Sequence, residues 1–190
     1  ATRISSKRWF SPLKYCPPDL LGGLCADLGE GGGLPGIPLS LCLPLGSMLL
    51  VESTQKKAKF LKETVEILGL KDKVKVETER VERLGQGRVR ENLDLVLARA
   101  LEPLPVVLEL ALPLLKIGGY LVAYKGPKPE QEVDKSARAL KILGGQIGNV
   151  VEFALPFSGE GRSLILVHKV GKTQKAFPRL PGTPAKDPLI

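Results

Sequence analysis

The chain has 190 residues, enough for one ordinary domain, and its 43% hydrophobic and 25% charged residues are typical of a soluble globular protein. These values exclude wholesale disorder, a collagen repeat and a coiled coil, and no window reaches the roughly 18 apolar residues of a membrane span. Three cysteines and one histidine are too few for a disulfide framework or a closed zinc site. We therefore expect no metal, no membrane contact, a reducing compartment and a monomer.

The net charge of +8 is concentrated at the two ends of the chain. The excess comes from Arg3, Lys7, Arg8, Lys14, Lys169, Lys172, Lys175, Arg179 and Lys186, against Asp19 and Asp187. Basic ends suit a polyanion such as RNA, although such charges can also serve solubility alone. The first 15 residues hold no acid, a composition that also fits a transit-peptide remnant. The expected location is the bacterial cytoplasm or the plastid stroma.

Three parts follow from the composition along the chain: a basic arm over residues 1–22, a central domain over residues 23–170 and a proline-rich basic arm over residues 171–190. The prolines of the last part predict an extended arm rather than a helix. Within the central domain, short apolar runs alternate with longer helical patterns, which indicates βαβ units.

In chain order we expect strands near Leu24–Leu28, Ser47–Glu52, Val74–Thr78, Leu93–Ala98, Tyr120–Tyr124, Ile147–Phe153 and Ser163–Val170. Helices are expected near Pro35–Leu43, Thr54–Leu68, Leu104–Leu115 and Glu130–Leu143. No helix fits between the last two strands, so they should pair antiparallel. The fold class is therefore α/β and Rossmann-like: a mostly parallel seven-stranded sheet with an antiparallel last strand.

The glycine-rich run from Asp27 to Gly36 follows the first strand and opens a helix. Glycine allows the sharp turn and the close approach of a ligand, and the next helix presents N–H groups to an anion. One phasing, Gly31-x-Gly33-x-x-Gly36, matches the dinucleotide fingerprint of an NAD(P)-dependent oxidoreductase. The other, Asp27-x-Gly29-x-Gly31-x-Gly33, is typical of S-adenosylmethionine enzymes, and we prefer it.

The run from Asp27 to Pro38, with Leu50-Val51-Glu52-Ser53 after it, resembles the small-subunit ribosomal RNA guanine-N7 methyltransferases, the glucose-inhibited division protein B family. Further matching motifs are Arg80-Val81-Glu82, Leu97-Ala98-Arg99-Ala100, Ala123-Tyr124-Lys125-Gly126 and the tail from Phe177 to Leu189. The resemblance covers residues 23–189. Family members have a longer helical segment before the glycine loop than the 26 residues that precede Asp27 here.

The resemblance implies S-adenosyl-L-methionine as the cofactor and small-subunit ribosomal RNA or the ribosomal particle as the partner. The implied cofactor-binding residues are Asp27, Gly29, Gly31, Gly33, Leu34, Glu52, Val81, Glu82 and Arg99. Gly29 and Leu34 would line the methionine end, Glu52 the ribose, and Val81 and Glu82 the adenine. Arg99 and Lys125 are the implied catalytic residues. The alternative is an inactive cofactor-binding factor in RNA processing or ribosome assembly.

Guanine N7 carries a free lone pair on the major-groove edge, so methylation there requires no general base. The reaction would instead depend on holding N7 and the methyl carbon in attack geometry. His168 is therefore expected to be structural. The target guanine should lie in a loop or be splayed from its stack, because A-form RNA hides its deep groove.

Overall fold

The computed structural model describes residues 22–29, 31–99 and 101–190. The strands there are β1 (Leu24–Leu28), β2 (Ser47–Val51), β3 (Val74–Glu77), β4 (Leu93–Arg99), β5 (Leu115–Lys125), β6 (Gly145–Ala154) and β7 (Gly161–Lys169). They form one sheet in the order β3-β2-β1-β4-β5-β7-β6. Residues 1–21, which hold most of the expected basic N-terminal arm, lie outside the described residues, as do Glu30 and Ala100.

Strand direction confirms the expected fold class. β1 to β5 pair in parallel, whereas β7 pairs antiparallel with β5 on one side and with β6 on the other. The last strand of the chain is therefore the reversed one, and it is inserted between β5 and β6. The order changes direction between β1 and β4, and ligands of open α/β sheets bind at such a switch point, outside the carboxyl ends of the strands.

The described helices are α1 (Gly36–Cys42), α2 (Gln55–Ile67), α3 (Val81–Gln86), α4 (Leu104–Ala111), α5 (Pro129–Asp134), α6 (Ala137–Leu143) and α7 (Thr183–Lys186). Two of these, α3 and α7, were not predicted. The single helix expected over Glu130–Leu143 is wrong, because the chain breaks at Lys135 and Ser136 into α5 and α6. Buried Ser136 donates its hydroxyl to the Glu132 carbonyl at 2.6 Å.

The core lies on both faces of the sheet, and its centre is apolar. Leu93, Leu95, Val96 and Leu97 of β4 are all fully buried, as expected for a parallel strand covered on both faces. All eight residues of α4 are buried as well, and they include the carboxylate of Glu109. An acid inside an all-apolar helix needs a buried partner, because an unpaired charge is costly to bury.

The C-terminal segment, residues 171–190, supplies that partner, and the expectation of an extended arm is wrong for it. Arg179 makes an ion pair with Glu109 at 2.7 Å, α7 forms one short helical turn, and Leu189 is buried in the main core. Proline restricts the chain locally, but long-range contacts decide where the segment lies. Lys169 and Arg179 are engaged inside the protein, which leaves Lys172, Lys175 and Lys186 exposed.

No helix among the described residues is both long and apolar enough to cross a membrane. Over the same residues, His, Cys, Asp and Glu side chains form no group of three or more that could hold a metal ion.

Candidate functional site

The predicted site residues follow the carboxyl ends of neighbouring parallel strands. Gly29 comes directly after β1, Glu52 after β2 and Val81 shortly after β3, while Arg99 and Lys125 are the last residues of β4 and β5. Because the parallel strands point the same way, these ends meet at one edge of the sheet. The fold therefore gathers the chemistry that the sequence spreads over about a hundred residues of chain.

The glycine loop, described at Gly29 and over residues 31–35, turns sharply above β1. Gly29 and Gly33 have φ angles of +73° and +77°, in the left-handed region that side chains with a Cβ disfavour. A Cβ on Gly29 would lie 2.4 Å from Leu101 Cδ1, and one on Gly33 would lie 2.5 Å from Ile37 Cδ1. The space beside Gly32, by contrast, is open to 4 Å. The loop thus forms a tight turn of backbone, the glycine cradle, at the carboxyl end of β1.

Asp27 lies beneath this loop rather than in an open cavity. Its side chain is fully buried, and Oδ2 accepts a hydrogen bond of 2.6 Å from the Gly36 backbone N–H. The absence of a side chain at Gly36 permits this contact, since a Cβ there would come within 2.9 Å of the same oxygen. Asp27 therefore ties the end of β1 to the first residue of α1, and it sets the shape of the loop between them.

The two acids predicted to hold the nucleoside are both buried and hydrogen-bonded. Glu52 accepts a bond of 2.6 Å from the Thr54 backbone N–H. Glu82 accepts bonds from Arg80 at 2.8 Å and from the Gly182 backbone N–H at 2.9 Å. Burial alone would raise the pKa of Glu82, but these hydrogen bonds outweigh burial and lower that pKa below its usual range.

Arg99 and Lys125, the residues implied to be catalytic, each donate a hydrogen bond to a backbone carbonyl of a neighbouring loop. Arg99 Nε donates to the Leu34 carbonyl at 2.8 Å, so this side chain braces the glycine loop. Lys125 Nζ donates to the Glu102 carbonyl and lies 3.3 Å from a Glu132 carboxylate oxygen. Burial lowers the pKa of Lys125 below the ordinary value of 10.5, although Glu132 opposes the shift.

Two cavities open at this edge of the sheet. The small pocket, of about 110 Å³, is lined by Gly29, Val51, Ser53, Glu79, Arg80, Val81, Glu82, Leu101, Glu102, Val106, Leu110, Pro184 and Ala185. The large cleft, of about 600 Å³, is lined by Ala98, Arg99, Leu101, Glu102, Pro103, Val107, Tyr124, Lys125, Gly126, Glu132, Phe153, Leu155, Arg162 and Ser163. Leu101 and Glu102 contribute to both cavities and therefore separate them.

The cavities sort the predicted residues into groups. Gly29, Val81 and Glu82 line the small pocket, and Arg99 and Lys125 line the large cleft. The remaining predicted residues line neither cavity but support the loop or its flanks: Asp27, Gly31, Gly33, Leu34 and Glu52.

Several lining residues were missed by the sequence analysis. Ser53, Leu101 and Glu102 lie two or three residues beyond strand ends, a position that by itself signals a ligand-facing residue. Arg162 lies at the start of reversed β7, so it reaches this edge only because that strand runs the opposite way. Nothing local in the sequence of Pro184 and Ala185 points to a pocket.

The histidine and the described cysteines lie away from both cavities. His168 stacks on Tyr120 at the opposite edge of the sheet, with ring centroids 4.6 Å apart, in agreement with a structural role. Of the described cysteines, Cys25 is buried and Cys42 is exposed as the last residue of α1. Cys16 lies outside the described residues.

Solved structures with a similar fold include two methyltransferases. The fold is similar to that of the tRNA methyltransferase TrmK of Bacillus subtilis, with a TM-score of 0.65 and 16% identity, covering 90% of this chain and 68% of that chain. It is also similar to a SAM-dependent methyltransferase from Aquifex aeolicus, with a TM-score of 0.64 and 21% identity, covering 86% and 90% of the two chains. These likenesses concern the fold alone.

Sequence similarity is closer and more specific. The ribosomal RNA small subunit methyltransferase G of Lactobacillus johnsonii is 45% identical over 176 residues, which are 90% of this chain and 73% of that protein. Residues 13–160 match the family described as rRNA small subunit methyltransferase G. With the reversed seventh strand and the glycine cradle in place, the chain belongs to the rRNA small subunit methyltransferase G family.

Proposed function

We propose that this protein transfers a methyl group from S-adenosyl-L-methionine to N7 of a guanine in small-subunit ribosomal RNA. The methyl donor would lie over the glycine loop and in the small pocket, and the guanine would enter the large cleft. We further propose that the protein acts as a monomer in the cytoplasm, on the RNA or the ribosomal particle.

The observation that carries this proposal is the position of the large cleft. It adjoins the glycine loop through Arg99, whose side chain contacts the loop at Leu34, and its other cations are Lys125 and Arg162. A cleft with cations at its walls attracts the RNA backbone. A nucleobase bound there would lie beside whatever occupies the loop, which is the arrangement that methyl transfer requires.

The reaction requires the protein mainly to position the base against the methyl group. When bound, S-adenosylmethionine supplies an electrophilic methyl group on a sulfonium sulfur. The N7 lone pair forms the new N–C bond, the electron pair of the S–C bond remains on sulfur, and no proton moves. Arg99 and Lys125 would orient the base and its neighbouring phosphates, and the apolar side chains of Phe153 and Leu155 would exclude water from it.

An exposed aromatic side chain beside the cleft suits an RNA ligand. Phe157 stands fully exposed in the turn between β6 and β7, two residues after Leu155 of the cleft wall. Its φ angle of +73° is rare for a side chain of this size. An exposed aromatic ring can stack on an unpaired base. We propose that Phe157 stacks on a nucleotide next to the target guanine.

Isothermal titration and a transfer assay test the proposed function together. We expect the protein to bind S-adenosylmethionine and not NADH, and to transfer label from the donor to unmodified small-subunit RNA. Binding of NADH without binding of the methyl donor would contradict the proposal and favour an oxidoreductase. Donor binding without any labelling of RNA or of ribosomal particles would favour the inactive assembly factor.

A further inference from the structure

Part of the small pocket is built by the C-terminal segment. Pro184 and Ala185 of α7 face Gly29, Ser53 and Glu82 across it. The resemblance assigns Glu82 to the adenine end and Gly29 to the methionine end of the cofactor site, whereas the two residues of α7 carry no predicted role. The segment is thus in a position to contact any ligand that fills this pocket.

One anchor of the segment is a residue of the pocket itself. The Gly182 backbone N–H, just before α7, donates to Glu82 Oε1 at 2.9 Å, and Arg80 donates to the same oxygen at 2.8 Å. Glu82 is only 3% exposed. Gly182 has a φ angle of +83°, a conformation that favours glycine at this position. The same carboxylate therefore lines the pocket and holds the segment.

A second anchor lies behind α7. Arg179 contacts both carboxylate oxygens of fully buried Glu109, with its Nε at 2.9 and 3.2 Å and its Nη2 at 2.7 Å. Arg179 Nη1 also reaches Asp187 at 2.9 Å. Bidentate pairs of this kind fix the relative orientation of the two side chains as well as neutralising their charges. This cluster therefore sets the path of the chain on both sides of α7.

A third anchor joins the start of the segment to the region after α3. Arg90 donates to the carbonyl oxygens of Thr173 at 2.8 Å and Phe177 at 2.6 Å, and Gln86 donates to that of Pro178 at 2.8 Å. The segment is therefore fastened along its length, with α7 between two fixed points. Pro184 is buried there, and it presents an apolar face to the pocket.

We propose that residues 182–185 form one wall of the adenine end of the methyl-donor site. This inference rests on the proposed function. The wall combines an apolar surface from Pro184 and Ala185 with few polar groups, the usual make-up of a site for a flat ligand. Because Glu82 belongs to both the pocket and the anchor, donor binding and docking of the segment should strengthen each other reciprocally.

Ala185 provides a direct test, because a larger side chain there would fill the pocket without entering the core. We expect Ala185→Trp to bind S-adenosylmethionine about tenfold more weakly than the unaltered protein, since the indole competes for the same space. Adenosine should lose affinity by the same factor, because only the adenine end is blocked. Ala176→Trp is the matched control: Ala176 is exposed in the same segment and lines neither cavity.

Isothermal titration of both ligands against the three proteins gives the ratios. Equal affinities for Ala185→Trp and the unaltered protein would overturn the inference while leaving the proposed function intact. Failure of the unaltered protein to bind the donor would overturn both. Equal losses in the Ala185 and Ala176 variants would also overturn the inference, since the effect would not depend on the pocket.

Hydrogen exchange of the unaltered protein provides a second test that needs no variant. The amides of Gly182, Thr183 and Lys186 donate to Glu82, Leu180 and Gly182 respectively, and their exchange should slow when the donor is added. The Leu140 amide in α6, bonded to Ser136, should not change. Unchanged exchange at all four amides under donor saturation would contradict the coupling.

Discussion

The small pocket and the large cleft share one edge of the sheet and two lining residues, yet they differ in charge and in closure. Among the described residues, the small pocket is lined by three acids and by one cation, Arg80, which is paired with Glu82. The large cleft is lined by three cations, two of them in ion pairs with acids, and by two acids, and it is more than five times as large by volume. The two cavities at this switch point therefore suit different ligands: a cationic donor on the acidic side and a polyanion on the basic side.

The two cavities also differ in which elements of the protein form their walls. The small pocket has a wall from the C-terminal segment, held by long-range contacts to α3 and α4. The large cleft has no lining residue from that segment, and its far side is the hairpin of β6 and β7. A small ligand that must be oriented suits the first arrangement, and a large ligand that enters from outside suits the second.

The largest effect is expected at Arg179, because this residue anchors the C-terminal segment, which forms a wall of the small pocket but not of the large cleft. Arg179→Ala leaves the Glu109 carboxylate buried and unpaired, and we expect the free energy of unfolding to fall by about 3–5 kcal/mol. Denaturant unfolding measures the loss. Arg88→Ala, which breaks an exposed pair with Glu77, should cost less than about 1 kcal/mol. Similar losses in the two variants would contradict the account of the anchor.

Arg99 tests whether the two sides work together. Arg99→Ala removes a cation from the cleft and the brace on Leu34, so we expect labelling of RNA to fall about a hundredfold as the attack geometry loosens. Donor affinity should fall much less, by under about tenfold. Arg138→Ala, an exposed arginine of α6, is the control and should label normally. Full labelling by the Arg99 variant would remove this residue from the site.

A change at Phe157 tests RNA binding separately from donor binding. We expect Phe157→Ala to weaken RNA binding by about tenfold, because a stacked base contributes about 1–3 kcal/mol, and to leave donor affinity unchanged. Filter binding and titration measure the two affinities. Ile67→Ala, at an exposed apolar residue at the end of α2, controls for loss of surface area. RNA binding unaffected by the Phe157 change would show that the turn lies off the path of the RNA.

Lys125 gives the smallest expected effect and a test by pH. Its pKa lies below 10.5 because of burial, so the ammonium loses its proton, and with it its attraction for phosphate, at a lower pH than an exposed lysine does. Arginine stays protonated throughout. As the pH rises toward 10.5, RNA affinity should therefore fall a few-fold more for the unaltered protein than for Lys125→Arg. Parallel pH profiles for the two proteins would contradict a role for this charge in RNA binding.

Much of the fold could be predicted because its signals are local. Strand β2 holds the continuous apolar run Met48–Val51, followed by Glu52, and α2 shows Ala58, Leu61 and Val65 buried at helical spacing. Leu68, the last residue of the expected helix, lies just beyond the end of α2 at Ile67 and is 42% exposed. Only six residues long, α3 is too short to reveal a period.

What escaped prediction depends on partners far apart in the chain. Arg179 and Glu109 are 70 residues apart, and Gly182 and Glu82 are 100 apart, so neither contact is visible as a pattern. Proline content favoured an extended tail, and packing against α4 overrode that local preference. One clue was present: Glu109 lies inside the run Leu104–Ala111, where every neighbour is apolar, and such an acid needs a buried partner.

The most direct test of the account is to map the base that receives the methyl group. Borohydride reduction followed by aniline cleaves RNA at 7-methylguanine, and primer extension then locates the break. After incubation of the protein and S-adenosylmethionine with unmodified small-subunit RNA, we predict one new cleavage site at one guanine. Incorporation of label without a new cleavage site, or label on a base other than guanine, would contradict the account.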